Sequence, residues 1–340
     1  MDAASVSETS IRIGAAAGLT TSLFWVLTSL FFAAAGRRIA VTWVNSIRIV
    51  FAILLLGGAQ SVAFGSPVPM IGSAPHLAML ALSGLIGLSL CDQALFTAFV
   101  DIGPRRALLC MTTSPIFAVI LGTVFLDERL GLVALAGILM TVVAVGFVVL
   151  ERSGDAGEPT PRLRRGVILA MIGSVSQAVG GLCSRVGMGG VGLAGVIEPL
   201  PVEDQIPPLS ATLVRMVFGL FGMTPIVLAY VVLARRGTGE REPSRWPAGL
   251  GLTACGAFVG PFLGVWMSLI AFKHAPLGIA QTMVSLSPVL ILPFAYFLLK
   301  ERVTPRAVLG AFIAVGGAAV LTFADSIQGW LGSLLTVAGG

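Results

Sequence analysis

Three charged side chains interrupt long apolar runs of this sequence, and each could do chemistry in an apolar medium. Asp92 lies about four residues past the middle of the apolar run 76–100, which is ~6 Å at a helical rise of 1.5 Å per residue. Arg48 and Arg215 lie inside two further runs. A buried carboxyl group favours its protonated form and can exchange a proton, whereas an arginine keeps its charge and can hold a carboxylate. Proton exchange and anion binding are therefore the first functions to consider.

The medium around these side chains follows from composition. Apolar residues make up 56% of the chain and charged residues only 11%, against roughly a quarter in soluble proteins. The apolar runs cover approximately residues 13–35, 41–62, 76–100, 104–126, 131–150, 166–187, 209–233, 247–272, 276–299 and 305–324. Because such runs can cross ~30 Å of hydrocarbon as helices, the sequence predicts an all-α integral membrane protein with ten transmembrane helices. Turn signals at 101 ("DIGP") and 274 ("HAP") predict helix breaks.

Other chemistries find little support in the sequence. The four cysteines show no C-x-x-C spacing, and the two histidines are nearly 200 positions apart, so we expect neither a metal nor any other cofactor. No P-loop is present, and ATP is therefore not the expected energy source. Sparse histidines and carboxylates disfavour a membrane-embedded enzyme. The net charge of +5 comes from arginines in short loops, which contact headgroups, so we expect no nucleic-acid partner.

One segment is written twice, 173 positions apart. "SPIFAVILGTVFLDER" begins at Ser114 and "SPVLILPFAYFLLKER" at Ser287, and residues 83–150 align with 256–323 without a gap. Each half then holds five spans, and because five is odd, the second half must enter the membrane inverted. Inverted repeats that meet around a midplane site are the plan of secondary transporters. We assign residues 1–150 to the first repeat, 151–165 to a linker, 166–324 to the second repeat and 325–340 to an interfacial or disordered tail.

The repeated features resemble a known family. Each half has an apolar fourth helix that begins Ser-Pro and ends near Glu-Arg, followed by a glycine-containing fifth helix, and an arginine early in its second span. Over about residues 13–324 this resembles the EamA family of the drug/metabolite transporter superfamily. The resemblance implies a multi-pass carrier in the cell inner (plasma) membrane that moves small metabolites, often as an exporter, without fixing the substrate. We expect a small-molecule substrate and lipids as partners, with a monomer or homodimer as the assembly.

Alternatives to metabolite export stay open. Uptake and multidrug or organic-cation efflux are possible within transport, although the first span has no carboxylate to hold a cation. A non-transporting sensor or partner subunit is the alternative from another class. Orientation is also open: most lysines and arginines outside the spans follow odd-numbered spans, which by the positive-inside rule places both termini outside. The family resemblance implies cytoplasmic termini instead.

Positions that differ between the repeats are the best candidates for binding substrate, because shared positions serve the shared fold. Asp92 aligns with Val265, Trp25 with Gln177, and Gln93 with Trp266. The predicted substrate-binding residues are therefore Trp25, Asp92, Gln93, Gln177 and Trp266. Together they would form a cavity with apolar and polar walls, which suits an amphipathic small molecule. Asp92 is the candidate for proton coupling; a paired aspartate that closes a helix contact is its structural alternative.

Shared polar positions have weaker claims. Arg48 and Arg215 could clamp a carboxylate, but their duplication favours an anchor to backbone carbonyls or headgroups. Ser114 and Ser287 precede prolines that free a backbone carbonyl and bend the helix, as a hinge or as part of the cavity wall. Gln281, Asn45 and Ser22 are further candidates. Glu128 would offset the positive end of the following helix, and small-residue stripes at 83, 87, 91 and 256, 260, 264 predict close helix packing.

Overall fold

A computed structural model describes residues 7–150, 161–235, 246–297, 305–324 and 326–329. Within these ranges the chain is helical, and the pairing of Leu193 with Ile197 is an isolated β-bridge. The α-helices are α1 (Glu8–Gly36), α2 (Val41–Phe64), α3 (Ala74–Gly84), α4 (Cys91–Met111), α5 (Ser114–Leu126), α6 (Leu132–Leu150), α7 (Pro161–Gly187), α8 (Pro208–Arg235), α9 (Trp246–Ala257), α10 (Val265–His274), α11 (Leu277–Val284), α12 (Ser287–Phe297) and α13 (Pro305–Thr322). The all-helical membrane fold expected from composition is confirmed.

Among the described residues, six helical stretches are long and apolar enough to cross a membrane. They are Glu8–Gly36, Val41–Phe64, Ala74–Ile102, Arg162–Gly187, Pro208–Val232 and Trp246–His274. Four shorter apolar stretches of the described chain fall on the remaining predicted runs: Ser114–Leu126, Leu132–Ala144, Leu277–Leu292, which spans α11 and the start of α12, and Val308–Thr322. The order of apolar helices along the chain therefore follows the sequence prediction.

Two π-helical segments were not foreseen. Leu85–Leu90 joins α3 to α4, and Phe258–Gly264 joins α9 to α10. The two segments begin 173 positions apart, so the irregularity belongs to the repeat. They could not be predicted, because an apolar run does not distinguish a π-helical turn from an α-helical one. Such segments frequently occur at functional sites, and both contribute to the cavity described below.

The small-residue stripes lie at close helix contacts, as predicted, and the structure places these contacts between the two halves. Ser83 donates a 2.6 Å hydrogen bond to the Gly180 carbonyl of α7, and Cys91 lies 3.2 Å from the carbonyl of Gly173 on the same helix. The second stripe faces α1, where a Cβ built on Gly260 would lie 2.5 Å from Thr28 Oγ1. Each stripe thus packs against the first helix of the opposite repeat. Side chains larger than those present would separate these helices.

The turn signals at 101 and 274 had different outcomes, although they occupy the same repeat position. α10 ends at His274, and Ala275 before Pro276 is extended, as expected for a residue preceding proline. In the first repeat α4 continues through Pro104 to Met111, so the break predicted at 101 is wrong. A helix can continue through a proline when neighbouring elements satisfy the freed backbone groups, and α4 packs along α7.

The Ser-Pro pairs begin helices after two-residue turns, at 112–113 and at 285–286. The chain is interrupted there and not only bent, and a new helix begins at Ser114 or Ser287, which agrees with a repeated helix that begins Ser-Pro. Serines from the opposite repeat meet both interruptions. Ser22 of α1 donates to the Met283 and Val284 carbonyls at 2.6 and 2.7 Å. Ser174 of α7 lies 2.8 Å from the hydroxyl of Thr113.

Several predicted boundaries changed or lie outside the described residues. α7 begins at Pro161, within the segment predicted as linker, and residues 151–160 are not described. The segment between α7 and α8 is ordered: Met188, Ile197 and Ile206 are buried, and Val202–Asp204 forms a 3-10 turn. Glu301 and Arg302 lie outside the described residues, as does most of the predicted tail; its residues 326–329 are helical.

Candidate functional site

A cavity of about 90 Å³ lies between the two repeats. Its walls come from α1, α2, the first π segment and α4 of the first repeat, and from α7, α8, the second π segment and α10 of the second. The lining residues are Trp25, Thr28, Ser29, Phe32, Arg48, Gly87, Leu88, Asp92, Leu95, Phe96, Phe99, Leu108, Met111, Gln177, Gly181, Arg215, Gly260, Pro261, Val265, Ser268 and Phe272. The wall is mostly apolar and carries two arginines and one aspartate.

The structure brings some of the predicted site residues together in this cavity. Trp25, Asp92 and Gln177 line it, and so do Arg48 and Arg215. Each of these side chains comes from a different helix, so no sequence spacing connects them. Their arrangement around one cavity gives the repeat-based prediction a definite geometry, while substrate binding by them stays a prediction.

Other predicted residues lie outside the lining. Gln93 is tied to α2, since its amide oxygen is 3.4 Å from Asn45 Nδ2 and its amide nitrogen 3.3 Å from Thr42 Oγ1. Trp266 packs against the ring of Phe262 at 6.1 Å between centroids. The remaining predicted residues are buried near the helix interruptions: Ser114, Ser287 and Gln281. Ser287 lies 3.2 Å from the Ser22 carbonyl, which fits a role at the contact between repeats.

The guanidinium of Arg48 has hydrogen-bond, ion-pair and aromatic partners. Its Nε donates to Asn45 Oδ1 at 2.8 Å, and its Nη2 donates to the Leu88 carbonyl at 3.3 Å and to the Asp92 carboxylate. The guanidinium also lies 5.1 Å from the ring centre of Phe96, a distance at which a cation is attracted to an aromatic face. The Arg48 side chain is 4% exposed and that of Asp92 17%. Burial strengthens this ion pair and makes an isolated partner costly.

Arg215 has a different environment at the corresponding repeat position. It is 5% exposed, and its Nε has no hydrogen-bond partner among the described residues. The guanidinium lies against Gly87, where a Cβ would come within 3.1 Å of Nη2. Asp92 interacts with it electrostatically, but the Asp92 carboxylate makes its ion pair with Arg48. Arg215 is therefore a buried cation at the cavity wall whose hydrogen-bonding capacity is left open.

The repeat comparison assigned the two arginines one role, and the tertiary structure separates them. The two arginines differ in their partners because of position 92. Asp92 forms an ion pair with Arg48, whereas the aligned residue Val265 is uncharged and cannot pair with Arg215. Val265 is itself buried and lines the cavity. The mismatch of Asp92 with Val265 was visible in the sequence, and it was the available signal for this asymmetry.

A second buried ion pair was missed. Arg185 at the end of α7 lies 3.0 Å from Glu128 Oε1 and donates from Nη1 to the Phe272 carbonyl at 2.9 Å and to the Ala275 carbonyl. Glu128 Oε2 accepts from the Leu277 backbone amide at 2.8 Å. Glu128 therefore stabilises the N-terminus of α11 in the other repeat, and the prediction that it serves the following helix is wrong. Arg185 lies at the end of an apolar run, where it could be read as a loop charge.

In the part of the chain that the structure describes, no group of three or more histidine, cysteine, aspartate or glutamate side chains could hold a metal ion.

The fold and the site together define a multi-pass membrane protein built from two helical repeats around a small charged cavity. The chain belongs to the EamA-like transporter family, whose sequence profile matches residues 12–150 and 164–323. The resemblance noted in the sequence is confirmed. Family membership makes the protein a membrane transporter of small molecules.

Comparison with solved structures supports the fold. One crystal structure, described only as that of a protein, is 21% identical to this chain, with a TM-score of 0.66. The similarity covers 94% of this chain and 97% of the other. At this identity the likeness shows the fold alone. Comparison with curated protein sequences finds no match.

Proposed function

We propose that the protein is a secondary carrier that exports small amphipathic metabolites, of the amino-acid type, through the cell inner (plasma) membrane. All ten apolar helices cross the bilayer in this proposal, with the second five inverted relative to the first. The observation that carries it is the cavity between the repeats, whose wall combines charged groups with aromatic rings. An amphipathic molecule can place its polar end on the first and its apolar end on the second.

The size of the cavity supports alternating access. Binding pockets for small molecules enclose about 300–1,000 Å³, whereas this cavity encloses about 90 Å³. A metabolite therefore requires the two repeats to move apart, and the small residues at their contacts provide smooth surfaces for such movement. In the proposed cycle the cavity opens to one side, narrows around the substrate, and then opens to the other side.

Proton coupling by Asp92 is part of the same proposal. Protonation of Asp92 would remove the charge that holds Arg48, so the ion pair could switch during the cycle. Asp92→Asn in proteoliposomes tests this: if transport by the variant keeps the pH dependence of the unmodified protein, Asp92 has no coupling role.

Counterflow in proteoliposomes tests the carrier itself. Vesicles loaded with an unlabelled solute would accumulate the same labelled solute against its gradient if the protein exchanges it. The panel should contain amino acids, nucleosides and organic cations, selected by a thermal-shift screen of purified protein. We expect the protein to exchange amphipathic solutes that carry a carboxylate. Absence of exchange for every solute that binds would favour a sensor or partner subunit over a carrier.

Organic-cation efflux is the alternative within transport. The charges that line the cavity are two arginines and one aspartate, so an added cation meets net positive charge. Repulsion in a low-dielectric cavity is strong, and this disfavours a cationic substrate. Preferential counterflow of an organic cation over every amino acid would replace the amino-acid proposal by this alternative.

A further inference from the structure

We infer that Arg215 is the anion-binding group of the central cavity, that Arg48 at the same repeat position is not, and that the ligand presents one carboxylate to Arg215. The inference rests on the proposed function, because it names the substrate chemistry of the same cavity. It separates two residues that duplication would treat alike.

Arg215 has hydrogen-bonding capacity that the described residues leave unused. A guanidinium has five N–H donors, and the Nε of Arg215 is buried without a partner in the described part of the chain. A buried charged group that lacks partners is costly, and nearly all such groups in proteins find them. Arg48 already donates from Nε and Nη2 to an amide oxygen, a carbonyl and a carboxylate, and its charge is paired with Asp92. A ligand carboxylate therefore meets a guanidinium without an ion-pair partner at Arg215, where it also gains more new charge-assisted hydrogen bonds than at Arg48.

The charges of the side chains on the cavity wall do not balance. Among the described residues that line the cavity, Asp92 is the one acid, and its ion pair is with Arg48. The other titratable groups that act on Arg215 are the thiols of Cys91 and Cys183. Neutral thiols do not compensate a guanidinium. With Asp92 ionised, the cavity wall carries one positive charge more than it carries negative charges, so a single anionic group on the ligand brings the site to neutrality.

The wall beside the Arg215 guanidinium contains glycine, which leaves space for a ligand group. Gly87 presents no side chain to the guanidinium, and Gly181 and Gly260 also line the cavity. A planar guanidinium can bind a carboxylate through two parallel N–H···O hydrogen bonds. The rings of Trp25 and Phe272 lie elsewhere on the same wall and can receive the apolar part of the ligand. A small amphipathic carboxylate fits all three conditions.

Binding to the unmodified full-length protein in nanodiscs gives the first test. Isothermal titration compares amino acids and 2-oxo acids with their carboxamide analogues and with inorganic phosphate. We expect the acid to bind at least about 10-fold more tightly than its amide, since a hydrogen bond to a charged group contributes about 1.5–3 kcal/mol. Equal affinities for acid and amide would overturn the inference. Tighter binding of phosphate than of every carboxylate would overturn the assignment of a carboxylate.

Variants then assign the group. Arg215→Gln should lose the preference for acid over amide, and Arg215→Lys should recover part of it, because lysine keeps the charge without the fork of donors. Arg48→Lys is the matched control and should keep the preference. Loss of the preference in Arg48→Lys together with its retention in Arg215→Gln would overturn the inference. If Arg215→Gln does not fold, Arg215→Lys and the acid–amide comparison still decide.

The outcomes separate this inference from the proposed function. Tight, Arg215-dependent binding of acids without counterflow leaves the site intact and contradicts the carrier. Counterflow of neutral or cationic solutes, with no carboxylate of the panel bound, supports a carrier and overturns the role of Arg215.

Discussion

The two repeats place an arginine at the same point of their second helices, and the two arginines have different partners. Arg48 binds Asn45, Leu88 and Asp92 and lies against aromatic rings. Arg215 is equally buried, yet its Nε lacks a hydrogen bond in the described chain. Duplication thus supplied two buried cations, and divergence at one further position, Asp92 against Val265, neutralised one of them. Shared positions thus build the common scaffold, and a mismatch between the repeats gives the two arginines different surroundings.

Removal of the Asp92 carboxylate should have the largest effect on this comparison. Asp92→Ala leaves Arg48 buried without its ion-pair partner, and loss of one member of a buried pair costs about 3–5 kcal/mol. We expect that loss in the free energy of unfolding, measured by denaturant titration in detergent micelles. The double variant Arg48→Met/Asp92→Leu is the control and should recover most of the stability. A double variant as unstable as Asp92→Ala would mean that the charge pair is not the cause.

The Arg185–Glu128 pair provides a second comparison, between an ion pair within one repeat and one that joins the repeats. Glu128→Gln can still accept from the Leu277 amide, but it removes the charge that faces Arg185. Because the Phe272 and Ala275 carbonyls still hold Arg185, we expect a smaller loss, about 1–3 kcal/mol. The same denaturant titration measures it. Glu203→Gln, on an exposed turn, should change nothing, and equal losses in both variants would contradict the role of the pair.

Transfer of the aspartate to the second repeat should make the repeats alike. Val265→Asp gives Arg215 the kind of partner that Arg48 has, so the ligand carboxylate must compete with it. We expect affinity for the acid to fall by about 10-fold or more, consistent with the loss of a charge-assisted hydrogen bond. Titration calorimetry measures the change, and Val265→Asn controls for shape and polarity. Unchanged affinity in Val265→Asp would separate Arg215 from ligand binding.

The smallest expected effect concerns the space beside Arg215. Gly87→Ala puts a methyl group 3.1 Å from Nη2, so the guanidinium must shift by a few tenths of an ångström. We expect a several-fold loss of affinity for the acid, about 1 kcal/mol or less, because the donors remain. Gly57→Ala is the matched control, since nothing lies within 4 Å of its added Cβ. A loss in Gly57→Ala equal to that in Gly87→Ala would show that the effect is not local to Arg215.

The candidate site shows how far sequence reasoning reached. Asp92, Trp25 and Gln177 were selected because the repeats disagree there, and all three line the cavity. Gln93 and Trp266 were selected by the same rule and lie outside the lining, because neighbouring residues on one helix face different directions. The rule thus selected segments that contribute to the cavity wall. It does not identify which side of a helix meets the opposite repeat, since that depends on how the helices pack.

The fold shows the same division. The apolar runs, the repeat and the small-residue stripes predicted the helices and their close contacts. The helix break predicted at "DIGP" does not occur, whereas the break predicted at "HAP", at the same repeat position, does. Both segments contain a proline, and the helix continues in the repeat where α4 packs along α7. A helix can continue through a proline where neighbouring groups satisfy the backbone that the proline frees.

By itself the sequence determined the solvent of this protein, its helical architecture, its two-repeat plan and its family, because hydropathy and internal repetition are properties of the chain alone. The tertiary structure decided which buried charges are paired. Arg48 pairs with Asp92 across 44 positions and Arg185 with Glu128 across 57, whereas Arg215 forms no ion pair with any carboxylate that the structure describes. Pairing depends on distances between side chains from different helices, and the distances exist only once the helices have packed.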